Sequence, residues 1–224
     1  YCRFPRKDII RIDPQPGDLI VGFSSSGQSV YEKEYNSGIG CNGLTSARHD
    51  MLNKYYAEHF PETFDPQMDA SVCYTGKHRV TDAVFNNINA GKLLLSPTRT
   101  YAPVLNEILK RGLNGVHGIV HNTGGGQTKC LKYIGEKVRL VKDNLFDVPP
   151  IFQMIQEQSG ASRREMYQVL NMGHRQEVYT TTERVEELVG IGTALGIDTQ
   201  LVGRVETAEK KQVILKGNFG EIIY

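Results

Sequence analysis

Val116-His117-Gly118-Ile119-Val120-His121-Asn122-Thr123-Gly124-Gly125-Gly126 is the stretch on which the reading turns. Val116 to Thr123 alternates as a strand, and three glycines then open a helical stretch from Gln127. Glycines let backbone N–H groups approach an anion, and a helix N-terminus adds favourable partial charge. The run therefore reads either as a phosphate-facing loop through Thr123, Gly124, Gly125 and Gly126, or as a plain turn between strand and helix. His117 and His121 stand four apart on the expected strand, hence on one face. Each is either a proton-transfer candidate near an anion or a buried histidine satisfied by backbone.

Outward from this stretch the chain alternates strands and helices. Pro14 to Asp18 is turn chemistry, and Leu19 to Phe23 reads as a short buried strand ending in Ser24-Ser25-Ser26-Gly27. Helical spacing covers Leu44 to Tyr56, with Asn42 available as a cap, and Val80 to Ala90, ended at Gly91. Ala102 to Leu109 is helical as far as Gly112, and Val138 to Val141 is a strand. Past Pro149-Pro150, Ile151 to Gln158 and Arg163 to Leu170 are helices. Asn171-Met172-Gly173 reads as a helix C-terminal turn with Gly173 left-handed. Gln176 to Thr180 is a strand and Thr182 to Leu195 a helix; strands follow near Thr199 to Glu206, Lys211 to Leu215 and Ile222 to Tyr224. The class expected is α/β: one domain with a mixed sheet covered by helices, its strand order left open.

The 224 residues, 39% hydrophobic, suffice for one well-buried core. Lys and Arg number 26 against 25 Asp and Glu, so bulk charge argues against nucleic acid or membrane surface as partner, though not against a local anion pocket. No apolar run has the length of a membrane span and no signal peptide opens the text, so a cytoplasmic location is expected. Cys2, Cys41, Cys73 and Cys130 are scattered, which suits reduced thiols and predicts no metal held through cysteine. The text opens at Tyr1 and reaches a strand within twenty residues, which suits a domain cut from a longer chain.

Other candidate contacts sit at strand ends and helix starts. Ser26 and Gly27 lie at a strand-to-turn junction as ligand contacts or turn formers, and no elbow motif makes these serines nucleophiles. Asn42 and Gly43 open a helix. Arg99, beside Thr98, either forks onto an anion or makes a structural ion pair.

The order of these features is specific. Ser25 to Gly27, Asn42 to Arg48, Leu95 to Tyr101, His117 to Gly126, Glu165 to Gly173 and Val202 to Glu206 together resemble the aminoimidazole ribonucleotide synthetase family. The pairing of Pro97-Thr98-Arg99 with His117 to Gly126 and Asn171 to Gly173 separates it from relatives of the same architecture. The resemblance implies the C-terminal domain of an ATP-dependent cyclo-ligase that converts formylglycinamidine ribonucleotide to aminoimidazole ribonucleotide in purine biosynthesis. It also implies an N-terminal domain, absent from this chain, that supplies most of the ATP and magnesium site. The complete enzyme would be a homodimer, and this chain alone inactive.

Carried onto this sequence, the resemblance implies that Ser26, Gly27, Asn42 and Gly43 face substrate, that Thr98 and Arg99 support that wall, and that Asn171 and Gly173 complete the floor. Thr123 to Gly126 would meet phosphate groups, with His121 as the catalytic donor or proton shuttle. The sequence departs from the family pattern at Gln28 to Ile39, which is long, and at Gly40-Cys41, which replace a His-Ser pair. Gln176 and Glu177 are polar where relatives are apolar, suggesting an altered edge or interface. Two other readings stay open: a related ATP-dependent phosphotransfer enzyme with another substrate, and a non-catalytic ligand-binding module.

Overall fold

The computed structural model describes residues 5–6, 9–41 and 43–224. Nine strands form a seven-stranded sheet and a small hairpin. The strands of the sheet are β1 (Leu19–Ser24), β4 (Val116–His121), β5 (Val138–Lys142), β6 (His174–Thr180), β7 (Thr199–Thr207), β8 (Gln212–Gly217) and β9 (Gly220–Ile223), in the order β4-β6-β1-β7-β5-β8-β9. The β5–β8 pair is parallel and every other pair is antiparallel, so the sheet is mixed, as expected.

Each face of the sheet carries its own apolar core. On one, Ile20, Val120, Leu140 and Tyr179 meet Ala47 and Met51 of α1 (Leu44–Met51), Leu93 of α3 (Ala90–Leu94), Phe152 of α5 (Pro150–Ser159) and Met166 of α6 (Arg163–Val169). On the other, Val21, Phe23 and Val178 meet Val104 and Ile108 of α4 (Ala102–Arg111) and Leu188 and Ile191 of α7 (Val185–Ala194). Burial on both faces explains the near-continuous apolar run of β1, whose last five residues are all buried. Among the described residues no helix is long and apolar enough to cross a membrane.

Three expected elements differ. The helix expected over Leu44 to Tyr56 breaks after Met51 and resumes as α2 (Tyr55–His59). Leu52 there turns extended and bridges His78, while Asn53 N–H donates to His78 O, so the passing segment captures the backbone. Val80 to Ala90 is not a helix: β2 (Ala83–Phe85) and β3 (Ile88–Asn89) pair across Asn86 and Asn87, both left-handed at φ 45° and 63°. Two consecutive positive φ values make the tight hairpin turn that asparagine tolerates best. Residue Gly91, expected as a stop, lies inside α3, whose N-cap Asn89 accepts from Lys92 N–H. Finally, the helix after the triple glycine is a 3-10 helix, Gly126–Lys132.

Candidate functional site

The loops that carry the candidate residues leave the sheet at one end. This end gathers the carboxyl ends of β1, β4 and β5 and the amino ends of β6 and β7. At β1, Ser24 Oγ donates to Ser26 O, and Ser25 N–H donates to Gly173 O, which lays the serine turn on the Asn171–Gly173 turn. Gly27 is left-handed at φ 96° and exchanges hydrogen bonds with Asn36, closing the long Gln28 to Ile39 segment into a strap. Met172 at φ 52° and Gly173 at φ 128° both have positive φ, so the bend is shared by two residues where Gly173 alone was expected to be left-handed.

Arg99 supports this wall, and each of its three guanidinium nitrogens is engaged by protein acceptors. Its Nη1 donates to Ser24 O and Ser26 O at 2.9 and 3.0 Å, and its Nη2 and Nε donate to Glu32. Of the two sequence alternatives, the ion pair is the one formed. Burial works against the Glu32 charge, yet Arg99 and the Ser29 N–H hold its carboxyl below the usual range. Tyr101 Oη also donates to Ser24 O, at 2.7 Å. Thr98 Oγ1 accepts from Cys41 N–H, and Asn171 Nδ2 donates to Gly38 O, so the Gly38–Cys41 loop is pinned from both sides. Asn42 lies outside the described residues; Gly43 caps α1 at φ 83° without a side-chain cap bond. Ser26 and Gly173 share a cavity of about 610 Å³ whose wall also holds Asp147 and Asp198.

On the β4 side, Thr123 Oγ1 accepts from Lys129 Nζ at 2.7 Å, and Gly125 is left-handed at φ 98°. Among the described residues the Gly124 and Gly125 N–H groups have no protein acceptor, while Gly126 N–H donates to Thr123 O. The two free amides are what the loop can offer an anion. Gly126 is fixed for another reason: an added Cβ would stand 2.4 Å from Leu170 O.

His117 and His121 do not share a face. The β4–β6 register shifts between Val116 and Gly118, and this bulge turns His117 toward Asp18, whose carboxylate oxygens lie 2.8 and 2.9 Å from Nδ1. His121 keeps an exposed edge and packs its ring on Tyr101, 5.7 Å between centroids. Partial burial, then Arg175 and Lys129, pull its pKa down to about 4, so the free imidazole is neutral at pH 7. It can donate or accept a hydrogen bond, and an anion alongside would draw a proton onto it.

The sequence reading missed two features. The first is a sealed polar network under the loops. Glu177 accepts from Lys142 Nζ, Asn122 Nδ2 and Tyr179 Oη and is bonded to His174 Nε2, and Lys142 and Glu177 side chains are fully buried. Burial alone would raise the Glu177 carboxyl, but Lys142 and His174 hold it far below the usual carboxylate range. Lys142 also donates to Gln127 Oε1, and Gln127 Nε2 to Asn171 O and His174 O, so one network ties the triple-glycine loop to the Asn171 turn. Gln176 and Glu177 therefore do not mark an edge: β6 is an interior strand between β4 and β1. The second is Arg175, 2% exposed, whose Nη2 donates to Gly38 O and Ile39 O. Four polar residues in a row, His174 to Glu177, running into the strand expected from Gln176 were the available signal for both.

Among the described residues no three His, Cys, Asp or Glu side chains come together as a metal site. Cys73 and Cys130 are buried and free, and Cys41 is exposed and free.

A phosphoribosylformylglycinamidine cyclo-ligase of Methanopyrus kandleri is 31% identical over 206 residues, 92% of this chain and 49% of the relative. One from Methanococcus vannielii is 34% identical over 191 residues, 85% of this chain and 44% of the relative. The chain thus spans about half the length of the curated relatives it matches. Among solved structures, phosphoribosylformylglycinamidine synthase II of Thermotoga maritima superposes with a TM-score of 0.46 at 11% identity, over 96% of this chain and 26% of that one. Residues 15–216 match the family of AIR synthase related proteins over its C-terminal domain, and the chain belongs to that family.

Proposed function

We propose that residues 1–224 are the single substrate-side domain of an ATP-dependent cyclo-ligase of purine biosynthesis, which closes formylglycinamidine ribonucleotide to aminoimidazole ribonucleotide. The observation that carries this reading is the meeting of the Ser24–Gly27, Gly38–Cys41 and Asn171–Gly173 loops at one sheet end, in a chain whose relatives are named for that reaction. Ser26 and Gly173 would face substrate from the shared cavity, with Gly27 and Gly43 on neighbouring loops; Asn42 is assigned the same role on the sequence motif alone. Thr98, Arg99 and Asn171 act one step back: they fix the loops that do so.

ATP supplies the phosphoryl group that turns the substrate's amide oxygen into a leaving group. Magnesium and most ATP contacts belong, in this reading, to an N-terminal domain outside the chain. This chain contributes position and charge: the Gly124 and Gly125 amides and Lys129 stand where a phosphoryl group would be held, and His121 is the adjacent proton donor or acceptor. The complete enzyme would be a cytoplasmic homodimer, and the isolated chain would bind ATP weakly and turn nothing over.

The test is ADP release by the complete gene product given ATP, magnesium and formylglycinamidine ribonucleotide. Release that requires the ribonucleotide and falls with Asn42→Ala or His121→Ala is expected. A folded protein that releases no ADP with this substrate would overturn the reading.

A further inference from the structure

Arg175 is a buried cation with no counter-charge. Its side chain is 2% exposed, and among the described residues no carboxylate lies within salt-bridge distance of it. Only Nη2 is bonded, to two carbonyls; Nε and Nη1 have no partner. The other arginine of this region, Arg99, is neutralised by Glu32, so the surplus charge is Arg175's own. A desolvated guanidinium left half-satisfied is strongly unfavourable.

The next residue adds a second unpartnered donor. Gln176 is 2% exposed and its Nε2 finds no acceptor. Gln176 stands opposite His121 across the β4–β6 pair, and His121 lies within electrostatic reach of both Arg175 and Lys129. The β1–β6 register shifts here, with His174 opposite Ser24 and Gln176 opposite Phe23, so Arg175 is the extra residue of a bulge. Bulges re-aim side chains at sites of this kind. The lid over the guanidinium is Gly40, left-handed at φ 59°, where a Cβ would sit 2.1 Å from Nη1. The guanidinium thus packs directly against Gly40, the neighbour in sequence of the exposed Cys41.

We propose that Arg175 and Gln176, with His121 and Lys129 at the rim, form a subsite for a phosphate monoester dianion, reached by displacement of the Gly40–Cys41 lid. Three unpartnered donor atoms beside an unneutralised charge call for an oxyanion as their partner. The planar guanidinium can present Nε and Nη1 as a fork to two phosphate oxygens. The assignment rests on the cyclo-ligase reading only for the source of the phosphate. That source is either the 5′-phosphate of the ribonucleotide or the terminal phosphoryl group of the nucleotide.

The experiment follows the Arg175 Nε–H and His121 ring resonances of the 224-residue chain by NMR. Inorganic phosphate is titrated first, then ribose 5-phosphate and magnesium ATP in separate arms. Saturable shifts of both signals are expected, with whichever organic phosphate binds more tightly naming the source. Arg175→Lys, which keeps the charge and loses the fork, should weaken binding about tenfold or more as read at His121. Arg175→Met should abolish it. Circular dichroism confirms folding of each variant; should Arg175→Met fail to fold, Arg175→Lys and Gln176→Leu carry the test. No shift in the wild type at tens of millimolar phosphate, or a folded Arg175→Lys that binds like the wild type, overturns the subsite. The kinetic arm separates this from the parent reading. Turnover by the complete protein with Arg175→Lys at unchanged KM for both substrates removes the subsite and leaves the cyclo-ligase. Phosphate shifts at Arg175 in a protein with no substrate-dependent ADP release leave the subsite and remove the cyclo-ligase.

Discussion

His174 Nε2 lies 2.7 Å from Glu177 Oε1 with both side chains closed to solvent, so their hydrogen bond forms where no water can replace it. Lys142 donates to the same oxygen. Glu177→Leu would leave Lys142 as an unpaired buried charge, at an expected cost of about 3–5 kcal/mol. The double variant Lys142→Met/Glu177→Leu should recover most of that loss, because it removes both desolvated ions together. Urea denaturation of the two single variants and the double checks it; a double variant as unstable as the singles would refute the pairing.

The same pair contributes to the loss of stability in acid, alongside His49 and His121, whose pKa values burial also lowers. Burial lowers the His174 pKa, so the folded chain binds this proton less readily than the unfolded one, whose histidine titrates near about 6.5. Its contribution is complete above that value and is lost as pH falls below it. Glu177 is also depressed, and its share is present above the unfolded value of about 4.3 and is lost as pH falls further. Unfolding free energy should be level above about pH 7 and decline in two stages, with His174→Gln blunting the first. A profile flat from pH 7 to 5 would contradict this.

Gly126 and Gly160 both have positive φ, 46° and 69°, but only Gly126 faces a carbonyl where a Cβ would go. Gly160→Ala should cost no more than the roughly 1–3 kcal/mol of a strained left-handed residue. Gly126→Ala adds the clash with Leu170 O and Tyr167 O and should exceed that range, or shift the triple-glycine loop. Thermal melts of the two variants compare them directly.

His121 should titrate with a pKa near about 4 in the free chain, followed by its ring signals in NMR. Arg175→Met removes one of the two cations that depress it and should raise the value. A wild-type midpoint near the ordinary histidine value would show that the ring is better solvated and that Arg175 and Lys129 stand farther from it.

Thiol labelling should rank the cysteines. Cys41 is exposed and should react within the folded state. Burial pushes the Cys130 thiol up to about 11 and shields it, so it should label only on unfolding, as should buried Cys73. Peptide mapping after a short pulse of a thiol reagent reads each site separately.

The seven strands of the large sheet were legible because segments of β1 and of β4 to β9 announce themselves by apolar runs or alternation bounded by turns. The Ala83–Asn89 hairpin was not, since its short segments also fit helical spacing and the deciding fact is the left-handed pair Asn86-Asn87. The histidine faces were misread because a single bulge at His117 shifts parity, and a bulge leaves no mark in the alternation. The loops around Ser26, Thr98, Arg99 and Asn171 were legible only as an ordered set of motifs. The Glu177 network draws on Asn122, Gln127, Lys142, His174 and Tyr179, positions far apart whose convergence depends on the strand order.

The place of β1 in the sheet sets a constraint on synthesis. Leu19–Ser24 pairs only with β6 and β7, so neither partner exists until the ribosome has made more than 150 further residues. During that interval the segment Leu19-Ile20-Val21-Gly22-Phe23 is a nascent hydrophobic strand with two open edges. The domain must close in a late, long-range step, and its yield in the cell will depend on what shelters those residues until the C-terminal third emerges.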